Sequence, residues 1–427
     1  MSASPVPMPT ELHVRPGPAL LAGVAAGPGL EAHREQYGAL PRVDVDTLLA
    51  ALGRLRVRGR GGAAFPFEVK LRTAADRSLP GRRRPVVVVN LSEGEPASAK
   101  DSALALMRPH LVLDGAVATA YALGARELHV VVPQDRPLVG ASVRAALAER
   151  HDRVRTRVHV AASRFVAGQA RAVLELMAGR PNLPVTAWSP EAVAGHRGRP
   201  TLLSNAETWA QVGLLVLGGE ERYAASGTPD EPGTTLLTLS GPTPEVVEVG
   251  FGTPWTDVLP AAWSGRPLLL GGFHGAWVPW AALAGGRVSV DAMRAAGTPL
   301  GAGVVLSPGE CPVTFTARVV DYLTAQSARR CGPCLHGLPA LADAVHAVAD
   351  GDPVSGDVNR VEALAATVTG RGACAHPDGT ARLARSMLAA FPAEVALHGQ
   401  GRCTGVPDGI AGATGPTRAT RATGVAS

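Results

Sequence analysis

No stretch of this chain reaches the ~18 uninterrupted apolar residues that a membrane-spanning helix requires, so a direct membrane span is not expected. The first thirty residues carry no early basic cluster and are broken by Pro and Gly, which argues against a secretory signal. Cysteine is scarce, with five in 427 residues, an odd number that does not suit a disulfide framework. Charge is also thin: 18% of residues are charged, the net charge of +5 is spread along the chain, and basic runs such as "GRRRP" (81–85) are short and lie beside turn residues. Such runs read as solvated loops, so no nucleic-acid partner is expected. Aromatics make up only 4%.

What the chain has in quantity is glycine (50) and proline (36), so turns and loops must be numerous. Its length favours two to four domains. Residues 1–45 read as an irregular leader with one short helix, and residues 46–56 as a helix capped by Asp46. Residues 46–220 alternate strand and helix: β-branched "VVVVN" at 86–90, a helix over 109–125, a strand over 127–133, a helix over 138–149, a strand over 156–163 and a helix over 165–179. That order predicts an α/β domain with a parallel sheet and crossover helices. Residues 234–310 read as a small β-rich domain and 313–400 as a helical bundle. Residues 401–427, rich in Gly, Thr, Ala and Arg, read as a disordered tail.

Three segments carry candidate chemistry. In "RGRGGAAFP" (58–66) Gly59, Gly61 and Gly62 let backbone N–H groups approach an anionic ligand just before a helix start, although a tight strand–helix turn would use the same residues. "NLSEGEPASAKD" (90–101) follows the apolar strand, where open α/β sheets bind ligands, and offers Asn90, Ser92, Glu93 and Glu95 to hydroxyls or a ring edge. Cys331, Cys334 and Cys374 place three soft ligands in one helical domain, a donor set for zinc or an iron–sulfur cluster. His336 and His376 lie close by in sequence and are candidates for a fourth ligand.

Taken in order, these segments resemble the NADH-binding flavoprotein subunit of respiratory NADH:quinone oxidoreductases and its relatives in NAD-reducing hydrogenases and formate dehydrogenases. "RGRGGAAFPFEVK", "NLSEGEPASAKD", "PHLVLDGAVATAYALGA", "RPTLLSNAETWAQV" and "CGPCLHG" match that family's motifs in sequence order. The resemblance implies a parallel-sheet FMN-binding domain, a small β-grasp-like domain and a C-terminal helical iron–sulfur domain. It implies hydride transfer from NAD(P)H to FMN and single electrons leaving through the cluster. Gly59, Arg60, Gly61, Gly62, Lys70, Asn90, Glu93, Asn205 and Thr208 are implied to bind FMN, with Ser92 at a position where the family has Asp. Phe65 and Glu95 are implied to face the nicotinamide, and Glu93 and Glu95 are the implied catalytic carboxylates. Partners would be other electron-transfer subunits or a ferredoxin-like or membrane redox protein. The implied location is the cytoplasm, peripheral at the inner face of the cell membrane through those partners.

The chain departs from the family pattern at two places. In "FVAGQARAVL" (165–174) Gln169 and Ala170 stand where the family has two glutamates, which shifts local charge positive and is expected to alter NADH binding. The family's first cluster cysteine falls on Ala328, leaving Cys331, Cys334 and Cys374 as ligands of a [4Fe–4S] or [3Fe–4S] cluster. The alternative to an NADH-oxidising subunit is an electron-relay or scaffold subunit without nicotinamide chemistry.

Overall fold

The structure, a computed structural model, describes residues 4–6, 12–78, 84–241, 243–352, 354 and 356–405. The basic run at 81–83 and the expected tail from 406 onward lie outside the described residues. The strands are β1 (His13–Val14), β2 (Val86–Asn90), β3 (Glu127–Pro133), β4 (Arg155–Ala161), β5 (Thr201–Asn205), β6 (Thr234–Ser240), β7 (Glu245–Gly250), β8 (Leu268–Leu270), β9 (Ala276–Val278) and β10 (Val304–Leu306).

The α/β unit is a four-stranded parallel sheet in the order β4-β3-β2-β5. Val86 to Val89 are fully buried, as an unbroken β-branched run in a sheet covered on both faces requires. From β2 the chain moves first to β3 and β4 on one side and then to β5 on the other, so the switch point lies between β2 and β5. Their register pairs Asn90 with Asn205, which brings both asparagines to the carboxyl edge of the sheet. Beneath them the helices Pro109–Ala122 and Ala206–Ala224 pack backbone to backbone. A Cβ on Gly115 would lie 1.9 Å from the Trp209 carbonyl oxygen, and one on Gly213 would lie 2.3 Å from that of Leu111. Both positions therefore exclude side chains.

The second unit is a six-stranded mixed sheet in the order β1-β7-β6-β10-β8-β9. Its outermost strand comes from the segment expected to be an irregular leader. His13 and Val14 pair with Glu245 and Val246, and Leu20 and Leu21 are fully buried nearby. A strand of two residues is too short to show a period in sequence. The helical unit comprises Pro312–Gln326, Leu338–Asp350, Val358–Val368, His376–Ala390 and Pro392–His398.

Two local expectations are corrected. The helix Val45–Arg54 is capped by Asp44, whose carboxylate accepts from the Thr47 N–H at 2.9 Å, while Asp46 lies inside the first turn. The helix expected over 165–179 is a short turn, Phe165–Gly168, followed by the helix Ala170–Met177. Gln169 between them is extended, because the turn is drawn toward β2 by the Asn90 amide donating to Gly168 O at 2.8 Å.

Candidate functional site

A cavity of about 690 Å³ opens at the carboxyl edge of β2 and β5, within the size range of cofactor sites. The Gly-rich loop forms one wall through Gly59, Gly61 and Gly62, with Phe65 and Lys70 beside it. Gly62 has φ +100°, a conformation that only glycine adopts without strain. A Cβ on Gly61 would meet nothing closer than Asn205 at 4.0 Å, so a larger side chain there would grow into space a ligand could use. The strand-end segment supplies Asn90, Ser92, Glu93 and Glu95 to the wall, and Asn205 completes the edge.

Several side chains singled out in sequence are already engaged by the fold. Asn205 caps the helix Ala206–Ala224: its Oδ1 accepts from Thr208 N at 3.3 Å and its amide donates to Asp101 at 3.2 Å. Thr208 is fully buried behind the wall, where its hydroxyl accepts from the Arg60 N–H at 2.8 Å. The Arg60 guanidinium points away from the glycines, donating to Thr234 O at 3.0 Å and lying 4.7 Å over the Phe251 ring. Arg60 therefore directs its backbone N–H to Thr208 and its charge to the junction with the second sheet.

Glu93 is held at φ +34° and accepts from Ser98, from the Asp101 and Ser102 N–H groups and from Arg136. Burial opposes its ionisation, but Arg136, Ser102 and Lys100 outweigh burial and hold its carboxyl below the usual range. Glu95 has the opposite balance. Burial pushes it up to about 8, while hydrogen bonds from the Phe273 and Ala97 N–H groups pull the other way. Its contact with Phe273 N, at 2.8 Å, links the strand-end loop to the second unit.

Sequence reading missed a buried charged cluster in the cavity floor. Lys100 Nζ lies 3.0 Å from Asp101 and 2.9 Å from Glu207. Burial works against the Lys100 charge, and the two carboxylates overcome it and raise its pKa. Burial pushes Asp101 up to about 6 against the pull of Lys100. Adjacent opposite charges within "ASAKD" were the available signal. His274, Gly301 and Arg382, which complete the wall, come from distant segments with no common motif.

Cys331, Cys334 and Cys374 lie near enough to one another to interact electrostatically. Burial pushes the Cys334 thiol up to about 12, with Cys331 and Cys374 adding to the rise. Cys374 is likewise raised by burial, and the nearby Gln169 side chain opposes that rise. Gln169 also lines the cavity, so one side chain separates the cavity from the thiols. Ala328, buried three residues before Cys331, offers no ligand atom. His376 is not free to act as the fourth ligand: its Nε2 donates to Leu323 O at 2.8 Å, which leaves Nδ1 to accept from His274 Nε2 at 3.0 Å. His336 is exposed.

A cradle without side chains at a parallel-sheet switch point suits a flavin phosphate and ring, and neighbouring thiols suit iron–sulfur ligation. Residues 52–214 match the Nuo51 FMN-binding domain, and residues 314–398 match the NADH-ubiquinone oxidoreductase-F iron-sulfur binding region, between them more than half of the chain. Fold and site together define a flavin- and iron–sulfur-dependent electron-transfer protein. The second F-type subunit of the NADH-quinone oxidoreductase of Rhizobium meliloti (strain 1021) is 28% identical over 403 residues, 89% of this chain and 94% of that one. The F-type subunit of the same enzyme in Mycobacterium bovis (strain ATCC BAA-935 / AF2122/97) is 28% identical over 388 residues, 85% of this chain and 86% of its own. A chain of the NAD+-reducing [NiFe]-hydrogenase in its H2-reduced state shares the fold, with TM-score 0.79 at 24% identity over 91% of this chain and 68% of that one. This chain belongs to the family of F-type subunits of NADH-quinone oxidoreductase, with an FMN-binding domain and an iron–sulfur binding region.

Proposed function

We propose that the chain oxidises NADH at FMN held in the cavity and passes electrons through a cluster on Cys331, Cys334 and Cys374 to a partner subunit. The observation that carries this reading is the shared wall: Gln169 lines the cavity and lies beside Cys374, and Ala375, next to Cys374 in the chain, lines it too. Flavin, when bound, supplies the exchange between two-electron and one-electron transfer. The chain's own contribution is placement. Gly59, Gly61 and Gly62 admit the cofactor, Lys70 stands at the rim paired with Glu191 at 2.9 Å, and Asn90 and Ser92 offer polar groups at the strand edge. Phe65, half exposed at the mouth, offers an apolar face to a nicotinamide ring. Glu95 holds a proton near neutral pH and shapes the wall through Phe273.

The partner and the location at a membrane belong to this proposal as well. Relatives are named as subunits, and among the described residues no helix is long and apolar enough to cross a membrane. Peripheral attachment through partner subunits is therefore part of the reading. A relay or scaffold role is favoured instead by Gln169 and Ala170, which give the cavity no carboxylate where the resemblance leads one to expect two.

The test is an absorption spectrum of anaerobically purified protein before and after NADH, followed by release of the flavin. We expect one FMN per chain and bleaching of the flavin band by NADH. Flavin that stays oxidised in NADH but reduces with dithionite would support the relay role. Absence of flavin after incubation with FMN would overturn the NADH-oxidising and relay readings and leave the scaffold role.

A further inference from the structure

Cys311 and Cys403 have no part in the cluster described above. They meet Glu394 and His398 instead, and one candidate ligand atom from each of the four residues lies within 4.8 Å of the others. Cys311 precedes the helix Pro312–Gln326, and Glu394 and His398 stand four residues apart on one face of the helix Pro392–His398. Cys403 follows in the segment that folds back over that helix, where Gly401 N donates to His398 O at 2.9 Å.

The spacing is that of a coordination shell. Cys311 Sγ lies 3.3 Å from His398 Nε2 and 3.6 Å from Glu394 Oε1, and His398 Nε2 lies 3.6 Å from the same carboxylate oxygen. Around a tetrahedral cation with bonds of about 2.3 Å to sulfur and about 2.0–2.1 Å to nitrogen or oxygen, neighbouring ligand atoms stand roughly 3.3–3.8 Å apart.

The ligand atoms are also oriented. His398 Nδ1 is 2.5 Å from Ala349 O. A carbonyl only accepts, so Nδ1 carries the proton and Nε2 turns its lone pair toward Cys311 and Glu394. This is how metal-bound imidazoles are generally held. Thr404 fixes the carboxylate, donating from N to Oε1 at 3.0 Å and from Oγ1 to Oε2 at 2.6 Å. Gly405 N donates to Cys403 Sγ at 3.3 Å, a contact suited to a thiolate. Cys311, Glu394 and His398 are buried and Cys403 is exposed, so a cation could enter from one side.

We propose that Cys311, Glu394, His398 and Cys403 form a second metal centre, a tetrahedral site for a divalent cation of the zinc class. Two thiolates, an imidazole and a carboxylate are a borderline-soft donor set, and four protein ligands leave no open position for catalysis. The centre is structural. It ties the chain around Cys403 to the start of the helix Pro312–Gln326.

The test uses the full chain with its cofactors, purified anaerobically from cells supplied with zinc, and measures zinc and iron together. We expect about one zinc per chain, with X-ray absorption showing two sulfur and two lighter ligands. The double variant Cys311→Ser/Cys403→Ser should lose the zinc and keep its iron. If that variant fails to fold, Cys403→Ser decides. Its side chain is exposed, and the substitution should weaken zinc about tenfold or more in competition with a chelator while the circular dichroism is unchanged. No zinc in the unmodified protein after incubation with zinc would overturn the proposal. So would zinc bound equally tightly by Cys403→Ser, or a Cys311–Cys403 disulfide found by non-reducing mass spectrometry of the anaerobic protein.

Discussion

Glu95 differs from an ordinary acid because its proton is retained in the folded chain up to about pH 8. Its folded pKa lies above its unfolded value, so the folded state binds the proton more tightly. Between about pH 4.5 and 8 the unfolded chain has released that proton while the folded chain keeps it, so stability falls as pH rises through this window. Glu95→Gln removes the group and should flatten that fall. Melting temperatures of both proteins from pH 5 to 8 are the check, and parallel curves would show that Glu95 is not the cause. Gly61 gives a cleaner probe of the cradle than Gly62, whose φ of +100° would strain any replacement. Gly61→Trp should abolish FMN retention with far-ultraviolet circular dichroism unchanged. Flavin content equal to that of the unmodified protein would make the loop a plain turn.

At the scale of elements, the turn before Cys331 decides what kind of cluster forms. Ala328 is buried ahead of Arg329, which adopts φ +52°, and Cys334 opens into a wide helical turn, Pro333–Gly337. With three thiolates, aerobic handling should leave a cluster of about three irons, and Ala328→Cys should raise it to about four. Iron and sulfide analysis with electron paramagnetic resonance reads the change, and iron unchanged by the substitution would place the fourth ligand elsewhere. The elements of the parallel sheet were legible in sequence because "VVVVN" and "ELHVVVP" are buried on both faces and say so by composition. The cysteine trio was legible through its spacing. The gathering of Cys311 and Cys403 was not, because 92 residues separate them and only the return of the last helix joins them. The break at Gln169 was hidden as well, since a tertiary hydrogen bond from Asn90 overrides a helical period.

At the scale of the whole molecule, Glu207 is one of the carboxylates that join the two units. Glu207 pairs with Lys100 in the cavity floor and accepts from Leu236 N at 2.9 Å and from Thr235 Oγ1 at 3.1 Å in the second sheet. Glu207→Ala would leave Lys100 with Asp101 alone and orphan those donors, a loss on the order of 3–5 kcal/mol for a broken buried pair. A lower urea midpoint measures it, and a midpoint unchanged within error would mean that the two units do not depend on this contact. The cavity wall has a further consequence, for the order of synthesis. It begins at Gly59 and is completed by Arg382, and the strand at His13–Val14 waits for Glu245 and Val246. A nascent chain emerging from the ribosome therefore cannot close the pocket until Arg382 has been translated. Cofactor capture waits for that segment, and a truncation before Cys374 would remove part of the pocket wall together with one of the thiols.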